Sequence, residues 1–233
     1  MKNGKRVYLF IILLTLISAA AYIYVTIFMP SSRRVDHSTY YGVSDKQVAI
    51  IYNDGLQKAS AIEKDQEVYL PYDWAAAILN DKFFWDSEEN LLLYTLPEEI
   101  IYMDENYISE GKRAFIKSGN TPYVSVSLIK KYTNVNLRSF VDTDIKKIYI
   151  YDNSVSLIAA RLRKKSKLRS GESIKADIVA DLETEESVYI LGSSVTGDDL
   201  TGKNKKWIKA YTDKGDWGYV QFKNLERVDY VVN

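Results

Sequence analysis

The most concentrated chemical feature of this sequence is the run RLRKKSKLR, in which Arg161, Arg163, Lys164, Lys165, Lys167 and Arg169 stand together without an acid among them. Such a patch attracts the phosphates of envelope polymers or lipid headgroups, with an attraction that salt screens over about 8 to 10 Å. The competing reading is a solvated strand edge whose lysines discourage edge-to-edge association. Asp177, Asp181, Glu183, Glu185 and Glu186 follow closely enough to neutralise it. Catalytic chemistry is poorly supplied by comparison. The sole histidine, His37, lies in the polar segment Ser31 to Asp45, where it reads as a linker residue rather than as a base or ligand. There is no cysteine, so thiolate nucleophiles, thiolate metal sites and disulfides are excluded together. A metal site would need carboxylates alone, which suit calcium or magnesium, and no calcium-loop spacing is present. The pairs Glu88-Glu89 and Glu98-Glu99 fall in turns, and adjacent carboxylates point apart instead of facing across a cleft. No catalytic residue, metal or cofactor is expected.

Trp74 and Trp85 offer flat faces of the kind on which sugars stack. Trp74 shares a short helical face with Ala77 and Ile78, and Trp85 ends a Phe-Phe-Trp run, so both read as core.

The elements that position these residues begin with a hydrophobic span at 7–29. It contains no charged residue, and at ~1.5 Å per residue it reaches ~34 Å against a hydrocarbon core of ~30 Å. Lys2, Lys5 and Arg6 precede it while Arg33 and Arg34 follow, a bias that modestly favours a cytoplasmic N-terminus. Val7 to Ile17 followed by Ala19, Ala20 and Ala21 also fits a cleavable signal peptide. Hydrophobicity resumes from Tyr22 to Met29, so an uncleaved signal anchor is favoured, and either outcome exports the remainder. Basic and acidic residues balance at 31 each, which gives no global reason to expect nucleic acid.

Beyond a linker at 30–46, the sequence turns to short β-rich runs. QVAIIY is followed by the hairpin turn Asn53-Asp54-Gly55 and by EVYLPY. A short helix follows, with Asp73 expected as its N-cap, and then the strands FFWD and Leu91 to Leu96. The order strand, helix, strand, strand recurs from Pro122 to Asp152, as an internal duplication would give. VYLPYDWAAAILNDKFFWDSEENLLLYTL and its weaker echo TPYVSVSLIKKYTNVNLRSFVDTDIKKIYIYD make the region 47–152 resemble the copper amine oxidase N-terminal-like domain of Gram-positive surface proteins. The resemblance implies a stalk or spacer; with no His or Cys in the region, copper binding does not follow.

The region 154–228 resembles bacterial SH3-like domains through Leu168 to Gly171, Ser173 to Lys175, Val179 to Leu182, Trp207 to Tyr211 and Gly218 to Val220. Its fold is expected to be a small all-β barrel, with a polar loop at 192–205 read as flexible. The resemblance implies non-catalytic docking on envelope polymer, through a groove lined by Trp207, Tyr211, Trp217 and Tyr219. Trp217 is the residue most expected to be exposed, and Trp207 is expected mainly to pack.

The expected protein is therefore a tail (1–6), one transmembrane helix, an α+β domain with a duplicated unit, and an SH3-like barrel. Its expected place is the cell membrane, single-pass, with the C-terminal domains extracellular. The expected function is cell-wall binding to peptidoglycan or associated glycan, without enzyme activity, with other envelope proteins as further partners. The alternative is the targeting half of a family-18 glycoside hydrolase, since similar pairs of domains precede such enzymes, although their D-x-x-D-x-D-x-E motif is absent here.

Overall fold

The computed structural model describes residues 2–191 and 206–231, so the expected flexible loop at 192–205 lies outside the described residues. Helix α1 (Lys2–Phe28) opens the chain. Every side chain from Phe10 to Phe28 is exposed, and this stretch is long and apolar enough to cross a membrane. The hydroxyls of Thr15 and Thr26 donate to the carbonyls of Ile11 and Tyr22 one turn back, which leaves neither unsatisfied in an apolar surrounding. The helix fits a single-pass span or a signal anchor.

A short helix α2 (His37–Tyr41) precedes the first β-rich unit. The unit comprises β1 (Gln47–Tyr52), β2 (Gly55–Lys64), β3 (Glu67–Pro71), α3 (Tyr72–Ile78), β4 (Phe83–Asp86), β5 (Leu91–Thr95) and β6 (Ile100–Met103). It continues with β7 (Ile108–Ser109), β8 (Lys112–Arg113), β9 (Phe115–Ser118), β10 (Thr121–Ser125), α4 (Val126–Tyr132), β11 (Val135–Phe140) and β12 (Lys146–Asp152). Seven strands form one sheet in the order β11-β12-β1-β2-β3-β10-β9, while β4-β5-β6 and β7-β8 make smaller sheets. The β1–β2 turn forms as expected: Asn53 and Asp54 both take positive φ, the geometry that makes a two-residue turn match strand twist.

Elements follow the order β3-α3-β4-β5 and again β10-α4-β11-β12. Their destinations differ, because β11-β12 joins the large sheet and β4-β5 does not. Helix α3 starts two residues earlier than its sequence suggests. Pro71, not Asp73, occupies the N-cap, and no side chain caps it. Proline presets a helix-entry φ, so Tyr72 begins the first turn, and Asp73 lies inside that turn near the positive end of the helix. Ala75 is buried on the inner face of α3, whereas Ala77 and Ile78, expected on the packed face with Trp74, are exposed.

The second unit contains β13 (Leu157–Leu162), β14 (Ser166–Arg169), β15 (Ile178–Leu182), β16 (Ser187–Leu191), β17 (Trp207–Thr212), β18 (Trp217–Gln221) and β19 (Leu225–Val231). These pair in the order β15-β14-β18-β17-β16-β13-β19. The sheet curls around Leu162, Leu168, Val179, Val188, Ile208 and Val220, but among the described residues its end strands do not pair, so it is an open sheet and not a closed barrel.

Strands β1 and β12 pair in parallel and are buried on both faces, as parallel pairs generally are. Val48, Ile50, Ile148 and Ile150 face α3 and α4; Ala49, Ile51, Tyr149 and Tyr151 face the second unit. The two units thus share a core with Leu157, Leu191, Tyr211 and Trp217 on its other side.

The stretch expected as a linker joins this assembly. Val35 N–H donates to Ile178 O at 2.9 Å, and Ile178 N–H returns to Arg33 O at 2.8 Å. Ser31 N–H donates to Ile174 O at 2.8 Å. Lys175 donates from its Nζ to the Val25 carbonyl at 2.7 Å and to that of Met29, satisfying acceptors that a helix C-terminus leaves free. The second unit therefore contacts the end of α1.

Candidate functional site

Alternation on β17 and β18 places the aromatic residues singled out from the sequence on one surface. Ile208, Ala210 and Val220 enter the second unit's core, so Trp207, Lys209 and Tyr211 on β17 and Trp217, Tyr219 and Gln221 on β18 face the other way. The register sets Trp207 opposite Gln221, Lys209 opposite Tyr219 and Tyr211 opposite Trp217. Lys209 Nζ lies 5.7 Å from the Trp217 ring centroid and 5.8 Å from that of Tyr219, within cation–π range. It also donates to the Asp54 carbonyl at 2.9 Å, which ties it to the first unit's β1–β2 turn.

The first unit covers one end of this stripe. Tyr211 is 2% exposed and Trp217 8% exposed. The Tyr149 ring lies 4.4 Å from that of Tyr211, and Tyr189 stacks on Tyr211 at 5.2 Å. Arg138 places its guanidinium over the rings of Phe140, Tyr189 and Tyr211. Tyr40 of α2 stacks on Trp217 at 6.1 Å, and the Tyr41 hydroxyl accepts the Trp217 backbone N–H at 2.8 Å. The expectation that Trp217 is exposed is thus corrected, because the segment after α1 folds back over it. Trp207 and Tyr219 remain half-exposed, with Lys209 between them. No known protein family, curated protein or solved structure matches this chain. The surface offers two aromatic faces for planar or sugar-ring ligands, and one ammonium for an anionic substituent.

Burial has moved the titration of the covered tyrosines. Tyr149 is pushed well above the ordinary phenol value, first by desolvation and then by its neighbours Tyr41, Tyr211 and Asp216. Tyr40, Tyr41 and Tyr211 move the same way, desolvation again leading. All four are neutral phenols under ordinary conditions.

The run at 161–169 does not present six free cations. Arg161 pairs with Glu185 at 3.2 Å, Lys165 with Glu183 at 2.7 Å, and Lys167 with Asp181. These contacts follow from strand geometry, since β14 runs antiparallel to β15 and sets Lys167 opposite Asp181. Arg169 is buried and donates from Nη1 to Ala176 O at 2.6 Å and Ser31 O at 3.2 Å; desolvation lowers its pKa. Arg163 and Lys164 are exposed in the β13–β14 turn.

His37 sits on α2 with its Nε2 3.0 Å from Val179 O. Asp36 caps this helix, and bonds from the Ser38 hydroxyl and the Thr39 N–H lower its carboxyl to about 2. Trp74 and Trp85 are half-buried and pack against the first core. Glu88, Glu89, Glu98 and Glu99 are exposed, and among the described residues no group of His, Cys, Asp or Glu is arranged to hold a metal. Sequence reading missed Tyr40, Tyr41, Arg138 and Tyr149. For Tyr149 a signal existed: KKIYIYD is apolar on both strand faces, which a sheet exposed on one side does not need.

Proposed function

We propose that this is a single-pass membrane protein whose β-rich units lie outside the cell and bind cell-wall polymer, peptidoglycan or an associated glycan, without chemistry of their own. The observation that carries the reading is the half-open end of the β17–β18 stripe, where Trp207 and Tyr219 flank Lys209 on one face. Aromatic faces supply contact area to sugar rings at little entropic cost, and the ammonium favours anionic substituents. On this reading the first unit is a spacer of copper amine oxidase N-terminal-like type built from a duplicated β-α-β-β unit. The second is an SH3-like module whose binding surface is narrowed by docking.

Cosedimentation of residues 30–233 with purified cell wall tests the proposal. Trp207→Ala with Tyr219→Ala should abolish pelleting while leaving the thermal transition in place. Pelleting unchanged in that double variant would remove the site, and no pelleting of the parent at low salt would remove the function. Protease added outside intact cells should digest everything beyond the span; full protection would reverse the orientation.

A further inference from the structure

A second surface lies on the first unit, away from the aromatic stripe. Strands β4, β5 and β6 pair antiparallel, with Phe84 opposite Leu93 and Leu93 opposite Tyr102. Alternate residues of each strand point to opposite sides of this small sheet. Phe83, Leu92, Tyr94 and Met103 enter the first core, and Trp85 and Ile101 pack against it. The outer side therefore carries Phe84, Leu91, Leu93, Ile100 and Tyr102. Phe84 is 57% exposed, Ile100 49% and Tyr102 62%. With ~150–250 Å² on each aromatic side chain, this face leaves roughly 300 to 400 Å² of apolar surface open, a size at which the largest patch on a monomer is often functional.

The ends of the same sheet are acidic. Glu88, Glu89, Asp104 and Glu105 stand exposed at one end, Asp81, Glu98 and Glu99 at the other, and Asp86 lies on the outer face itself. Within 81–106 the only base is Lys82. Among the described residues none of these acids forms an ion pair, although Lys64, Arg113 and Lys117 line a cleft beside Glu89, Asp104 and Glu105. Two cations approach from the inner side of the sheet: Lys117 lies 5.9 Å from the Trp85 ring centroid, and Lys131 stands over Tyr132, which stacks on Tyr94. An apolar face between acidic ends selects its occupant by charge. A second copy placed face to face would set these acids against their own counterparts, and anionic lipid or phosphate polymer would be repelled. A segment with an apolar stripe and basic ends meets both features. The acidic ends are separated by strands of four or five residues, roughly 15 Å at ~3.3 Å per residue, which about ten residues of helix cover at ~1.5 Å each.

We propose that the outer face of β4-β5-β6 docks an amphipathic helix of another protein, about three turns long, with basic residues at both ends of its apolar stripe. The inference does not depend on the reading of the β17–β18 surface. It is tested on the full chain in phosphatidylcholine nanodiscs, with empty discs as the blank, by fluorescence anisotropy of the labelled peptide KKLAQLLAQLAKK. Binding should saturate, and the acidic counterpart EELAQLLAQLAEE should not bind. Phe84→Thr with Tyr102→Thr keeps residues suited to strands and should weaken binding about tenfold or more, with the thermal transition in place. Glu98→Gln with Glu99→Gln should also weaken it and should flatten its dependence on salt. Trp207→Ala with Tyr219→Ala should leave it unchanged. No binding above the blank, equal binding of the acidic peptide, or full binding by the Phe84→Thr, Tyr102→Thr variant would each overturn the proposal. Dimers of the parent that this variant abolishes would also overturn it, assigning the face to a second copy.

Discussion

Lys147 of β12 and Asp216 of the β17–β18 turn form an ion pair of 3.2 Å across the boundary between the two units. The lysine side chain is 3% exposed and the aspartate side chain 17%, and the ammonium also lies 5.0 Å from the Tyr41 ring centroid. Three separate parts of the chain thus meet at one buried cation.

Removing one partner of a buried pair strands the other charge, at a cost of about 3 kcal/mol or more. Asp216→Asn should lower unfolding free energy by about that amount in urea titration. Lys147→Met with Asp216→Leu should cost less than Asp216→Asn alone, because neither charge is then left unpaired. A double variant as unstable as the single one would mean the pair is not what holds the boundary.

Gly215 takes φ +74°, and a Cβ there would meet Phe140 at 2.5 Å. Gly215→Ala therefore combines left-handed backbone strain with overpacking and should destabilise by about 2 kcal/mol or more. Adding Phe140→Ala should remove the collision, so the two substitutions together should cost less than the sum of their separate effects. Strict additivity in calorimetry would show that the close approach is not felt.

These features differ in how far the sequence disclosed them. The Asn53-Asp54-Gly55 turn and the shared face of Trp207 and Tyr219 were legible, because each depends on local φ preference or on period-two alternation. The continuous apolar character of QVAIIY and KKIYIYD announces strands buried on both faces without saying what covers the outer one. Burial of Trp217 was not legible. Its cover comes from Tyr40 and Tyr41, in a segment whose polar composition resembles that of a linker and whose order comes from contacts made far along the chain. The basic run was visible as charge, but the register that sets Asp181 opposite Lys167 was not.

Alkaline pH should loosen the boundary. The folded pKa of Tyr149 lies above the unfolded value of about 10, so above that pH the folded state holds a proton that the unfolded chain releases. The stabilisation is complete below about pH 10 and is lost as pH rises towards the folded value. Melting temperature should fall over this interval together with the appearance of tyrosinate absorbance. Tyr149→Phe should fall less steeply; an equal slope would assign the effect to other groups.

Because Glu183 and Glu185 neutralise Lys165 and Arg161, the parent should be weakly retained on immobilised polyphosphate. Glu183→Gln with Glu185→Gln should strengthen retention by about 1 kcal/mol per released cation, with the gain abolished by salt. Unchanged retention would show that these cations are not available even when unpaired.

The parallel pairing of β1 with β12, and the clasp of Tyr41 on Trp217, also govern when the molecule finishes folding. A chain made from its N-terminus presents Val48 to Tyr52 long before Lys146 to Asp152 exists, and Tyr41 waits longer still for its donor at Trp217. Contacts of such sequence separation carry a large loop-closure cost before they return any stabilisation. Completion is therefore late: the segment around Tyr41 acquires its final structure only after β18 has emerged, and until β12 arrives one edge of the apolar strand β1 is uncovered and exposed to mispairing.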